Sequence, residues 1–88
     1  MTKVKQLANN QFIIKERDIQ YFQSYDSIIV KSIFHLDKIY LDKTYWNYSK
    51  TTSKYRNQFL GETTKETQAK IDSGEYTLTD LNIDTHLL

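Results

Sequence analysis

The run SIIVKSIFHL, residues 27–36, is the most apolar segment of the chain. As a strand it sets Ile28, Val30, Ser32, Phe34 and Leu36 on one face and Ile29, Lys31, Ile33 and His35 on the other. A strand apolar on both faces belongs inside a sheet, with a partner on each side. FIIKE (12–16) and IQYFQS (19–24) read as strands before it, ended by the polar clusters KERD and YDS. Behind it, Asp37-Lys38 reads as a two-residue hairpin connection and IYLDKTYW (39–46) as the antiparallel return. Short polar turns between three to four strands predict a β-meander over residues 11–46. The first ten residues are read as flexible.

Past Trp46 the pattern becomes helical. Ser49, Thr51, Thr52 and Ser53 offer N-cap oxygens, Tyr55 and Phe59 lie four apart, and Gly61 suits a left-handed C-cap. Thr63-x-x-Glu66 is a capping box for a second short helix, in which Glu66 and Lys70 form an i,i+4 pair and which Gly74 stops. Residues 49–74 are thus the helical part. A short strand or turn follows around Tyr76 and Leu78, and residues 83–88 are expected to fray. The fold class is α+β, a small antiparallel sheet followed by one or two short helices on one face, in a single domain. The expected core is Ile28, Val30, Phe34, Leu41, Trp46, Tyr55, Phe59 and Leu60.

Eighty-eight residues, 39% apolar and 14% aromatic, can build one small core but leave little volume for a deep pocket. Without cysteine there is no disulfide, thiolate nucleophile or thiolate metal site. The histidines, His35 and His86, have no acid at a recognised ligand spacing, so neither metal nor cofactor is expected. The pairs Glu16/Asp18 and Asp37/Asp42 fall in turns, and His35 at a strand end reads as structural, so an enzyme is not expected. MTKVKQLANN has lysines but no apolar run behind them, which predicts a cytoplasmic protein without a signal or membrane span.

Net charge is +1, yet residues 1–60 carry ten basic and five acidic side chains, and residues 61–88 two and six. The first part can present a basic face to an acidic partner. The acidic C-terminal segment reads less well as a nucleic-acid mimic, because the total charge is not strongly negative.

YWNYSKTTSKYR, residues 45–56, holds four rings, three cations and no acid. Two readings stay open. Rings between cations suit single-stranded nucleic acid, with Lys43, Lys50, Lys54 and Arg56 beside Tyr45 and Tyr48. Alternatively Trp46 and Tyr55 are core residues at a strand-to-helix junction, and Lys50, Lys54 and Arg56 are their solvated neighbours. The glycines of a phosphate-binding loop are missing, so the Thr/Ser run reads as a cap. Seven tyrosines exceed what such a core can bury, which places some of Tyr21, Phe22, Tyr25 and Tyr40, along with Tyr45 and Tyr48, at a protein-binding surface.

The runs YFQSYDSIIV and IYLDKTYWNYSKTTSKYRNQFLGETTKETQAKIDSGEYTLTDLN resemble a family of small, mostly uncharacterised proteins from phages and mobile elements of Gram-positive bacteria. That family has a similar Tyr-Phe-Gln-Ser-Tyr run, a Trp-x-Tyr-Ser-x-Thr-Thr-Ser-Lys-Tyr motif and an ending like Lys-Ile-x-Ser-Gly-Glu-Tyr. The likeness spans roughly residues 20–82 and leaves the first 18 outside. It implies a non-enzymatic phage accessory protein and transfers no catalytic residue. The implied partner is a host protein or protein–nucleic-acid complex, most concretely one blocked sterically by an anti-CRISPR-like inhibitor. The alternative is a nucleic-acid-binding accessory protein using residues 43–56.

Overall fold

The computed structural model describes residues 2–82; the expected fraying of 83–88 lies outside the described residues. Six strands form one sheet: β1 (Thr2–Ala8), β2 (Gln11–Glu16), β3 (Ile19–Ser24), β4 (Ser27–Ile33), β5 (Lys38–Asp42) and β6 (Tyr76–Thr79). They lie side by side in chain order, antiparallel except for β6, which runs parallel to β5. Between those two, α1 (Lys50–Leu60) and α2 (Thr64–Asp72) make the crossover that a parallel pair requires. The fold is therefore α+β as expected, with six strands rather than three to four.

Both additional strands are at the edges. Residues 1–10, expected to be flexible, hold β1, which pairs with β2 from Thr2↔Glu16 to Ala8↔Gln11. The first five of the seven residues of β1 are exposed and only Leu7 packs against the core, so backbone pairing more than burial makes it a strand. The second is β6, the short strand or turn anticipated around Tyr76 and Leu78.

The central strand differs from the sequence reading at both ends. A bulge pairs Phe22 with Val30 but Gln23 with Ile28, leaving Ile29 without a partner opposite. Ile29 and Val30 are consequently both buried, and Ile28 is only half-buried. At the other end β4 stops at Ile33. A 3₁₀ turn over Phe34–Leu36 follows, closed by Asp37 in the left-handed region, so Lys38 opens β5 instead of completing a hairpin turn. Phe34, expected in the core, is 51% exposed.

The core consists of Phe22, Ile29, Val30, Leu41 and Tyr76, with Trp46, Tyr55, Phe59, Leu60 and Ile71 packed around it. Phe59 of α1 stacks on Phe22, ring centroids 5.9 Å apart, and so fixes the helix on the sheet. The caps follow the local signals. The Ser49 hydroxyl accepts from the Thr52 amide, Gly61 closes α1 at φ 70°, and Thr63 and Glu66 complete the capping box. With its carboxylate used there, Glu66 is not the partner of Lys70, which bonds Glu62 instead.

Phe22→Ala removes a buried ring and its stacking on Phe59, and should cost about 3–5 kcal/mol. Phe34→Ala should cost below about 1 kcal/mol. Urea titration followed by Trp46 fluorescence separates them. Equal losses would place the 34–36 turn inside the protein.

Candidate functional site

A groove of about 420 Å³ opens where the β3–β4 turn meets the chain between β5 and α1. Tyr25, Asp26 and Ser27 form one side, Tyr45 and Tyr48 the other, and Ser24, Ile29 and Thr52 complete the lining. The Ser24 and Thr52 hydroxyls share a 3.0 Å hydrogen bond, which ties the end of β3 to the first turn of α1. Tyr45 and Tyr48 meet edge to face at 5.4 Å.

The tyrosine wall exists because β5 ends early. Asp42 is buried, and its carboxylate accepts from the backbone amides of Thr44, Tyr45 and Leu81 at 3.1, 2.9 and 2.9 Å. The chain turns there, and the Trp46 amide donates to the Asp42 carbonyl at 2.9 Å. Residues 43–46, read as strand, are this turn. Tyr45 and Trp46 therefore do not alternate across a sheet, and Tyr45 is free to join Tyr48.

Of the residues singled out from the sequence, Tyr25, Tyr45 and Tyr48 come together at the groove. Tyr21 does not: its neighbours across the sheet are Ile14 and Lys31, on the face away from Phe22 and the helices. Lys43 lies 3.5 Å from Asp80. Lys50 is exposed at the first position of α1, and Lys54 sits over the Tyr55 ring at 5.3 Å.

Arg56, expected on a solvated cationic edge, is wholly buried. It follows Thr52 by one helical turn, on the buried row of α1. Its guanidinium stacks on Trp46 at 5.0 Å. Nη1 donates to the Trp46 carbonyl, and Nη2 donates to Asn57 Oδ1 at 3.0 Å and Thr64 Oγ1 at 2.7 Å. A planar fork on an aromatic face, with polar acceptors at its rim, is how a guanidinium tolerates burial. Burial pulls its pKa down from the ordinary arginine value, and the charge of Glu62 opposes that.

Sequence reasoning missed two further polar sites. Gln11 is buried opposite Ser24, its amide without a hydrogen-bond partner among the described residues. Glu62, just past Gly61, gathers three donors: Thr67 Oγ1 at 2.6 Å, Lys70 Nζ at 2.7 Å and the Tyr76 hydroxyl at 2.9 Å. Burial alone would raise the Glu62 carboxyl, but the bonds from Lys70, Thr67 and Tyr76 outweigh it and hold the carboxyl below its usual range. Burial, then the bond to Glu62, pushes the Tyr76 phenol up to about 12. The bond to Glu62 raises Lys70 as well. A phenol held protonated and a carboxylate saturated with donors make a tie between α2 and β6, without a poised base.

This tie has a pH signature. The folded pKa of Glu62 is depressed, so its contribution is present above the ordinary carboxyl range and lost as pH falls through the folded value. Tyr76 is raised, so its contribution is present below about pH 10 and lost as pH rises toward about 12. Glu62→Gln should lower stability at neutral pH and flatten the acid limb of the stability curve. Ultraviolet titration should show one phenol ionising late, and in the variant that phenol should move toward its ordinary value. Seven phenols ionising together near pH 10 would contradict the tie.

Among the described residues no three His, Asp or Glu cluster as metal ligands, and no helix is long and apolar enough to cross a membrane. No curated protein and no solved structure matches this chain. A family model, described as a family of unknown function (DUF8033), matches residues 1–75. The match takes in the whole of β1 and β2, whereas the likeness read from the sequence began near residue 20, and it stops just before β6. Since it covers well over half of the 88 residues, the chain belongs to this family of unknown function, DUF8033.

Proposed function

We propose that this protein is a non-enzymatic binding module that receives a protein partner in the groove between Tyr25 and Tyr48. The carrying observation is Tyr25. It sits in the β3–β4 turn at φ 56° with half its surface exposed. Left-handed backbone suits Gly, Asn or Asp and costs a bulky residue about 1–2 kcal/mol. The turn conformation does not call for a ring at this position, which favours a role outside the fold. The conformation is held by the Tyr25 amide donating to the Asn10 carbonyl at 2.6 Å and by Gln23 Nε2 donating to the Tyr25 carbonyl at 2.7 Å. Tyr48, across the groove, is 70% exposed. Rigid rings with free polar tips beside small hydroxyls are the make-up of a protein-binding hot spot.

The likeness of YFQSYDSIIV and YWNYSKTTSKYRNQFL to small proteins of phages and mobile elements extends this reading. The protein acts in the host cytoplasm as an accessory protein that binds a host macromolecule. Its most concrete form is an inhibitor of a bacterial defence system, anti-CRISPR-like, that works by covering the partner's working surface. A nucleic-acid site at residues 43–56 has less support, because Arg56 is buried, Lys43 faces Asp80, and Asp26 lines the groove.

The test pairs capture with substitution. Immobilised wild type, in nuclease-treated host lysate, should retain a defined protein. Tyr25→Ala/Tyr48→Ala should bind that protein at least about tenfold more weakly with unchanged circular dichroism. Equal affinity would remove the groove from the interface. For the inhibitor form, expression in a CRISPR-defended host should raise phage plating by orders of magnitude, and unchanged plating would overturn it.

A further inference from the structure

The lysines of the first two strands form a second surface, distinct from the groove. Pairing puts Lys3 directly opposite Lys15, and Lys5 opposite Ile13, so all four share one face of the sheet. The next residues across are Gln20 and Phe22, so this face is also the one that carries the helices farther along. Beyond the helices it is open, and Lys3, Lys5, Lys15, Ile13 and Gln20, with Val4 at the sheet edge, line a shallow concavity.

Protection of an exposed edge is the ordinary reason for lysine on an outer strand. It accounts for Lys3 and Lys5 on β1, but not for Lys15, which lies on a strand paired on both sides. Like charges directly opposite each other in an antiparallel pair destabilise it. Among the described residues no acid relieves them: the ion pairs are His35–Asp18, Lys43–Asp80 and Lys70–Glu62. Glu16, next to Lys15 in sequence, lies on the opposite face and accepts from the Thr2 hydroxyl at 3.1 Å.

From this juxtaposition we infer that the concavity around Ile13, walled by Lys3, Lys5 and Lys15, docks the phosphate backbone of a nucleic-acid duplex. Three exposed cations around a hollow complement a polyanion. No ring lines the hollow, so it offers no platform for unstacked bases and makes contact through phosphates alone. Recognition is therefore independent of sequence and strongly dependent on salt. On β3 the hollow and the groove are marked by Gln20 and Ser24, about 13 Å apart, so a protein and a duplex can be held together. This goes beyond the groove reading and does not rest on it.

Fluorescence anisotropy with a labelled duplex of about 20 base pairs, from about 25 to 150 mM salt, tests the proposal. Wild type should bind at low salt, with a slope of log affinity against log salt of about −2 to −3 for three phosphate contacts. Lys3→Gln/Lys5→Gln/Lys15→Gln should bind at least about tenfold more weakly with a flatter slope. The single variant Lys15→Gln should lose affinity while its melting temperature stays level or rises, since the repulsion from Lys3 is gone; it carries the test should the triple variant unfold. Tyr25→Ala/Tyr48→Ala should bind the duplex like wild type. The proposal is overturned by absent binding at low salt, by a lysine variant with wild-type affinity, by loss through the tyrosine variant, or by equal affinity for an acidic peptide.

Discussion

A single buried charge organises the helical half of this protein. Arg56 lies on Trp46 and bonds the Trp46 carbonyl, Asn57 and Thr64, so the turn after β5, the body of α1 and the start of α2 all close on one guanidinium. Burying a cation costs several kcal/mol unless its donors are met, and here both terminal nitrogens of the guanidinium are met while Nε has no partner among the described residues. Moving any one of these segments strands the charge. The tyrosine wall inherits this rigidity, because Tyr45 and Tyr48 flank the turn that Arg56 holds.

The opposite side of the groove is braced from the C-terminal direction. Asp42 takes the Leu81 amide, and one residue later the Asn82 side-chain amide pairs with the backbone of Ile28 through bonds of 2.7 and 2.8 Å. That side chain takes the place of a missing strand residue next to the short β5. It stabilises β4 beside the bulge that sends Ile29 into the groove lining. Early termination of β5, the bulge in β4 and the return of the chain past β6 are thus parts of one arrangement.

What could be read from the sequence was local chemistry. A cap from the Ser49–Ser53 run, the Gly61 stop, the Thr63/Glu66 box and the strand IQYFQS depend on neighbours within a turn or two, and each formed as expected, with Ser49 as the cap. What depends on register or on distant partners could not be read. The β4 bulge is invisible in SIIVKSI, and the strand character of TKVKQLA comes from pairing with β2 rather than from its own pattern. That some tyrosines lie at the surface was legible because seven exceed what this core can bury, but which of them share a groove was not. Arg56 was not, since only the fold reveals a set of acceptors converging from residues 46, 57 and 64. The lysine hollow needed the pairing Lys3↔Lys15, which no single strand displays.

The central claim is that Arg56 is an interior tie and not a surface cation. Arg56→Lys keeps the charge and removes the planar fork, so urea unfolding of this variant, with the native emission of Trp46 recorded alongside, tests it most directly. Trp46 is the only tryptophan, and it is the ring on which the guanidinium lies. The tie predicts a loss of about 2 kcal/mol or more, together with a red shift of the native emission as the 45–48 turn loosens. A variant that matches wild type in unfolding midpoint and in emission would show Arg56 to be replaceable by any cation, and would contradict this account.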